Sequence, residues 1–288
     1  MSERKIGERH RGAARRMRLL PFLLLALLVP AAARAVTVWP TTVFIDSRTR
    51  TATLTLSNTG LRPEEIEIDF SFGIPVADEL GSVRVVFLDS AGLPERSIVG
   101  HVRAFPRRMR LEPGQTQTVR LLVQPPEGLP DGEYWGRVMV ASVGGQPPIQ
   151  QQTGNVTMEI TVRTVIAVGL YYRHGQTETS LRVDSARAAR GDGLVSLYLG
   201  MDRGGNAAFL GRVVAEVLDA QGNVVTEHIE QLAVHQDMLW RVDVPLPEGV
   251  PVGAGYTIRY TVESVREGAG EGLLVIDPVR GSVAIPTS

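Results

Sequence analysis

The sequence predicts an all-β protein built as two β-sandwiches in tandem. From Val36 onward, apolar and polar residues alternate in runs of about four to eight, as expected of half-buried strands. Clusters of turn residues separate these runs, with the 30 glycines and 18 prolines spread along the chain. No window of useful length repeats apolar residues at the helical spacing of about 3.6. Nor does any repeat of about 20–50 residues suggest a solenoid or propeller.

In chain order, the first set of expected strands is Val36 to Ile45, Thr51 to Ser57, Glu65 to Phe72, Val83 to Leu88, Thr116 to Gln124, Tyr134 to Val143 and Val156 to Tyr172. Asp89-Ser90-Ala91-Gly92, Glu112-Pro113-Gly114 and Pro130-Asp131-Gly132 supply turns through fixed or positive φ. The polar stretch Arg173 to Ser180 interrupts the pattern, and the boundary between sandwiches is placed there, giving spans of 36–174 and 175–288.

A second set begins near Leu181 and includes Leu194 to Leu199, Gly211 to Leu218, Val224 to Leu232, Leu239 to Val244 and Tyr256 to Val262. Asp219 to Asn223 reads as a hairpin turn, and Gly253-Ala254-Gly255 leads into a late strand. A second seven-stranded sandwich accounts for this half.

Ahead of both halves, residues 1–35 have the form of a secretory signal peptide. Basic residues from Arg4 to Arg18 precede the apolar run Leu19 to Val29, and Ala33-Arg34-Ala35 supplies small residues at the cleavage site, so the cut is expected after Ala35. The apolar run is well short of the ~20 residues a spanning helix needs, so secretion without stable membrane insertion is expected. Removing residues 1–35 leaves 22 basic against 29 acidic residues, a formal charge of −7. That balance argues against nucleic-acid binding, which relies on clustered cations. With no cysteine, there is neither a disulfide framework nor a thiolate metal site. Lys5 is the sole lysine, so every cation of the mature chain apart from histidine is an arginine.

Enzymatic chemistry finds no support. His101, His174, His228 and His235 fall on different elements without metal-ligand spacing, and each reads as solvated or structurally bonded. Nucleophile-elbow, phosphate-loop and dinucleotide motifs are missing, and neither metal nor cofactor is expected. Arg103, Arg107, Arg108 and Arg110 form a basic cluster, read as a strand edge kept soluble by charge rather than as an anionic-surface contact. Trp135 and Trp240 offer platforms for sugar rings, yet their place inside alternating strands favours core packing.

The most informative segment is Val156 to Tyr172. Val156, Met158, Ile160 and Val162 are apolar at every second position, and the row continues less cleanly through Ile166, Val168 and Leu170. As one strand the segment would span about 50 Å at roughly 3.3 Å per residue. It presents one apolar row while its backbone stays free to pair with a neighbour. If its open edge faces another chain, the protein is a strand-pairing binder.

Several motifs extend this reading. They are Pro106 followed by Arg110-Leu111-Glu112-Pro113-Gly114, then Thr118-Val119-Arg120-Leu121, and Leu129-Pro130-Asp131-Gly132-Glu133-Tyr134-Trp135 leading into a strand. With Pro40-Thr41-Thr42-Val43-Phe44, Thr53 to Asn58 and the closing Tyr171-Tyr172-Arg173, they make residues 36–174 resemble the PapD-like periplasmic pilus-assembly chaperones.

That resemblance implies two immunoglobulin-like sandwiches and a non-enzymatic role. The seventh strand would complete pilin-like or other surface subunits that lack a strand, with Val156, Met158, Ile160 and Val162 as the inserted row and Thr164 as its weaker polar end. The sequence leaves open whether an outer-membrane usher takes part. Family members grip the client's terminal carboxylate with an arginine on the first strand and a lysine on the seventh. The corresponding positions here are Thr42 and Gly169, and Arg173 remains as the cleft-side cation. Either the client is gripped another way or pilin handling has been lost. A secreted structural or adhesion module, its long strand paired within its own sheet, is the alternative from a different class.

Overall fold

Proline decides the first departure from the expected strands. The computed structural model describes residues 36–88, 94–144, 149–153, 156–160, 162–249 and 255–286. In it the run from Val36 to Ile45 is two strands, Val36–Trp39 (β1) and Thr42–Asp46 (β2). Pro40 has no N–H to donate to a ladder, and here the chain leaves one sheet for the other. The expected cut after Ala35, and the turn residues Asp89 to Gly92 and Gly253-Ala254, lie outside the described residues.

Seventeen further strands follow among the described residues: Thr51–Asn58 (β3), Glu64–Ala77 (β4), Val83–Leu88 (β5), Val102–Phe105 (β6), Arg108–Leu111 (β7), Thr116–Val123 (β8), Gly132–Val143 (β9), Ile149–Thr153 (β10), Val156–Ile160 (β11), Arg163–His174 (β12), Thr179–Arg190 (β13), Leu194–Gly205 (β14), Phe209–Leu218 (β15), Val224–Val234 (β16), Met238–Pro245 (β17), Thr257–Glu263 (β18) and Val279–Ala284 (β19). Helix is confined to a 3-10 turn at Val99–His101 among the described residues.

Two sheets face each other in the first sandwich. One has the order β1-β3-β8-β6; the other has the order β2-β12-β9-β4-β5, with β7 also on β4. Alternation turns one row of each strand inward. Leu54 and Leu56 of β3 and Val119 and Leu121 of β8 meet Ile66 and Ile68 of β4, Val138 and Val140 of β9, and Val168, Leu170 and Tyr172 of β12. The second sandwich stacks β13-β14-β17 on β16-β15-β18-β19. Its core includes Leu197, Leu199, Phe209, Val213, Val217, Trp240, Val242 and Ile258. The fold is therefore two immunoglobulin-like β-sandwiches. Residues 35–288 form one compact unit.

The long strand expected from Val156 to Tyr172 is also two pieces. β11 pairs with β10 as a hairpin, and β12 pairs with β9 from Arg163↔Val143 onward. Val162 between them is outside any strand.

A third apolar cluster lies between the sandwiches. Phe72, Trp135 and Tyr171 of the first meet Ala208, Leu210 and Ala233 of the second. The first sandwich's second sheet is tied to the other half at both margins. At one, the turn after β4 reaches β17, where Arg241 N donates to Gly81 O at 2.9 Å. Gly81 has φ +76°, and a Cβ there would lie 3.0 Å from Arg241 N, so glycine is what allows the approach. At the other, the β18–β19 connection lies along β2. Thr41 N donates to Gly268 O at 2.8 Å and Gly270 N to Thr42 O at 3.0 Å.

Candidate functional site: an open strand margin and the cleft beside it

β2 runs parallel to β12 but begins late, with Thr42 beside Gly169 and Asp46 beside Arg173. Gly169 N donates to Thr41 O at 3.1 Å, so the main-chain groups of Gly169 face β2. Main-chain groups alternate sides along a strand. Those of Ala167, Val165 and Arg163 therefore face the same margin, where no described strand pairs with them. This stretch is an open β edge.

The side-chain row beside that edge passes from core to solvent. Val168 is fully buried and Ile166 packs against the first core, while Thr164 is exposed and Val162 is 47% exposed. Two of the sequence-predicted residues, Val162 and Thr164, thus sit where the row leaves the core. Val156, Met158 and Ile160 lie on β11, whose main chain pairs with β10; their side chains lie outside the described structure.

The cleft positions differ from expectation. Thr42 and Gly169 are neighbours in register, but Thr42 is 1% exposed and its Oγ1 accepts a bond from Arg266 Nε at 3.2 Å. Arg173 is not a free cation. Its Nε donates to Glu133 Oε2 at 2.8 Å, its Nη1 donates to Gly272 O, and its guanidinium stacks 4.6 Å from the centre of the Phe44 ring. Glu133 is fully buried and also accepts from Trp135 Nε1 at 2.9 Å and Ala208 N at 3.0 Å. Three donors from both sandwiches satisfy one carboxylate, as burial of a charge demands.

Two arginines missed in the sequence border Thr42 and Gly169 instead. Arg137 on β9 is 9% exposed and donates from Nε to Gly73 O at 3.0 Å. A Cβ added at Gly169 would lie 3.7 Å from Arg137 Nη1 and 3.7 Å from Thr42 Cγ2. Arg266 comes from the β18–β19 connection and also donates from Nη1 to Leu232 O at 2.7 Å. Neither guanidinium has a carboxylate partner among the described residues. Burial holds the Arg266 pKa below its usual value, and Arg137 adds to the effect.

His235 reports the same field. It is 3% exposed, with its ring 4.8 Å from Trp135 and 5.7 Å from Tyr171. Burial first, then the positive charges of Arg137, Arg266 and Arg203, push its pKa down to about 3. It is not solvated, and its Nδ1 lacks a partner among the described residues.

Other sequence candidates resolve simply. Trp135 and Trp240 are 8% and 4% exposed, which removes them as sugar platforms. In the basic cluster, Arg107 pairs with Asp69, Arg108 with Glu67, and Arg110 with Glu65 and Glu112. These exposed pairs line the β7–β4 ladder and neutralise the cluster, so it is no anionic-surface site; Arg103 bonds the main chain of Val102.

No family model and no curated protein sequence matches the chain. Similar solved structures include a chain of the Salmonella enterica SafA pilin–SafB chaperone complex, at 16% identity and TM-score 0.42, covering 86% of this chain and 96% of that one. The Pseudomonas aeruginosa CupB2 chaperone is similar at 14% identity and TM-score 0.43, over 87% and 100% of the two chains. The YadV chaperone is similar at 15% identity and TM-score 0.45, over 86% and 98%. Similarity at this level leaves the site to be argued from its own geometry.

Proposed function

We propose that the chain is a periplasmic, non-enzymatic chaperone for pilus, fimbrial or similar surface subunits. It binds subunits that lack a strand by strand addition along the open margin of β12. The observation that carries this reading is the coincidence at residues 162–168 of an unpaired β edge with an apolar row that runs out of the core. An incomplete guest sandwich needs both: backbone partners for its own bare edge, and side chains to fill its open core. Val156, Met158 and Ile160 extend the row in this reading, and Thr164 is its polar member. The β10–β11 hairpin is the segment that adjusts on binding.

The edge also sets the guest's direction. Beyond Gly169 the margin of β12 is taken by β2, so an added strand must stop beside Thr42. The guanidiniums of Arg137 and Arg266 border that stop. They favour a chain end bearing a carboxylate and repel an ammonium. The guest strand therefore runs parallel to β12, its carboxyl end at the cleft.

The test separates the two faces of the edge. Val162→Asp combined with Ile160→Asp abolishes co-purification of the client, whereas Val165→Asp, on the opposite face and already 48% exposed, retains it. Circular dichroism confirms the fold of each variant. Unchanged client recovery in the Ile160/Val162 variant overturns the proposal, and recovery of the protein in mature surface fibres would mark a structural module instead.

A further inference from the structure

Of the three tryptophans, Trp135 and Trp240 are buried, whereas Trp39 is 58% exposed. Its main chain is held all the same. β1 pairs with β3 over its whole length, with Trp39 beside Thr55, and Pro40 fixes φ one residue on. The indole therefore stands on the outer face of the sheet β1-β3-β8-β6, anchored by its backbone and adding little to the core.

A single exposed aromatic is ordinary; the setting of this one is not. Trp39 lines a groove of about 530 Å³ on the side of β2 where Ala269, rather than β12, lies beside Thr42. Pro40, Phe44 and Ala52 give the groove apolar lining, Thr53 of β3 adds a hydroxyl, and Glu271 of the β18–β19 connection adds a carboxylate. Small-molecule sites in this size range have the same make-up, an apolar surface with a few polar groups that fix orientation. The polar groups are also uncommitted. The indole N–H, the Thr53 hydroxyl and the Glu271 carboxylate have no hydrogen-bond partner among the described residues.

Charge and shape choose the ligand. Glu271 repels an anion. Arg120, the register partner of Thr53 on the same sheet face, is exposed and has no carboxylate partner among the described residues, which offsets the attraction for a bare cation. What fits is a neutral molecule with a face of C–H groups for the indole and a rim of hydroxyls that both donate and accept. A pyranose ring has that form. The negative face of the indole attracts polarised C–H groups, a carboxylate accepts from hydroxyls, and a threonine does either.

We propose that this groove binds a neutral saccharide, one ring stacked on Trp39 with its hydroxyls bonded to Glu271 and Thr53. Among the described residues, none that lines the groove belongs to β12. The site therefore operates apart from the open margin and neither requires strand addition nor blocks it.

Titration of the isotope-labelled mature protein reads the site through the Trp39 indole N–H, identified as the signal lost in Trp39→Ala, and through the Thr53 amide. The probes are cellotriose, maltotriose and triacetylchitotriose, with L-arginine as a cation and sodium acetate as an anion. At least one trisaccharide is expected to shift both signals together and saturably, with the Trp135 and Trp240 indoles unmoved; arginine and acetate are not. Read at the Thr53 amide, Trp39→Ala should weaken that binding about tenfold, the scale of one aromatic stacking contact. Trp39→Tyr should restore part of it. Val275→Ala, on the same connection as Glu271 and 79% exposed, should leave it intact. The amide spectrum of each variant verifies its fold. No response to any of the three sugars, equal shifts of the two signals by arginine or acetate, or undiminished affinity in Trp39→Ala overturns the proposal. None of these results bears on strand addition, because no client is present.

Discussion

Arg173 Nε meets Glu133 Oε2 at 2.8 Å, 40 residues earlier in the chain and with the carboxylate sealed from solvent. Both residues lie on the first sandwich, as register partners on β12 and β9, yet they also hold the second. Glu133 also receives the Ala208 amide of the second sandwich, and Arg173 reaches Gly272 in the β18–β19 connection. Removing the arginine would leave a buried charge with two neutral donors. Arg173→Met is expected to destabilise the protein by about 3–5 kcal/mol, the cost of breaking a buried pair from one side. Urea unfolding measures it, and a loss below about 1 kcal/mol would show the pair to be solvated in practice.

His235 makes stability depend on pH. Its folded pKa of about 3 lies below the ordinary 6.5, so between these values the unfolded chain holds a proton that the folded chain does not. Stability from this residue is therefore intact above the unfolded pKa and falls as pH drops toward 3, with a slope approaching about 1.4 kcal/mol per pH unit. The charges facing the ring, Arg137, Arg266 and Arg203, stay protonated throughout this range. His235→Phe keeps an aromatic ring against Trp135 and should flatten the pH dependence between pH 4 and 6. Unfolding free energies measured at several pH values decide it: equal slopes in both proteins would remove His235 as the cause.

Gly81 tests the contact at the opposite margin of the sheet. Ala at this position must adopt φ +76° and bring a Cβ to 3.0 Å from Arg241 N. Gly81→Ala is expected to cost about 1–3 kcal/mol. It should also raise hydrogen exchange at Arg241, whose amide loses Gly81 O. Normal protection at Arg241 would mean that the turn shifts without strain.

Much of this architecture is legible in the sequence because its signals are local. The alternation Ile166, Val168, Leu170, Tyr172 predicts the inward row of β12, and Asp219-Ala220-Gln221-Gly222-Asn223 closes a hairpin through Asp219 Oδ1, which accepts from Gln221 N and Asn223 N. Pro40 could have been read as a break in the first strand, since a proline inside an apparent strand marks an edge or a boundary. The short edges β6, β7 and β19 carry too few alternating residues to stand out. The split between β11 and β12 follows from which neighbour each pairs with, and periodicity within a single run does not encode that.

The cleft was the least legible part. Arg173 reads as a spare cation until Glu133 is seen beside it, and pairing across 40 residues leaves no trace in either motif. Arg137 had a usable signal: a charged residue in the apolar run Trp135-Gly136-Arg137-Val138, on a strand buried on both faces, must answer to something. Arg266 had none, because its position in Ser264-Val265-Arg266-Glu267-Gly268 looks like any surface loop.

The β18–β19 connection and the Gly81 turn hold the two halves together independently of the chain between them. A single connection, Gly175 to Glu178, is all that joins β12 to β13 along the chain, yet the halves also clasp each other at two separate borders of one sheet. Cleavage of that connection by a protease would therefore yield a nicked particle rather than two drifting fragments. The same arrangement makes this backbone a natural candidate for a split reporter reconstituted from separately produced pieces.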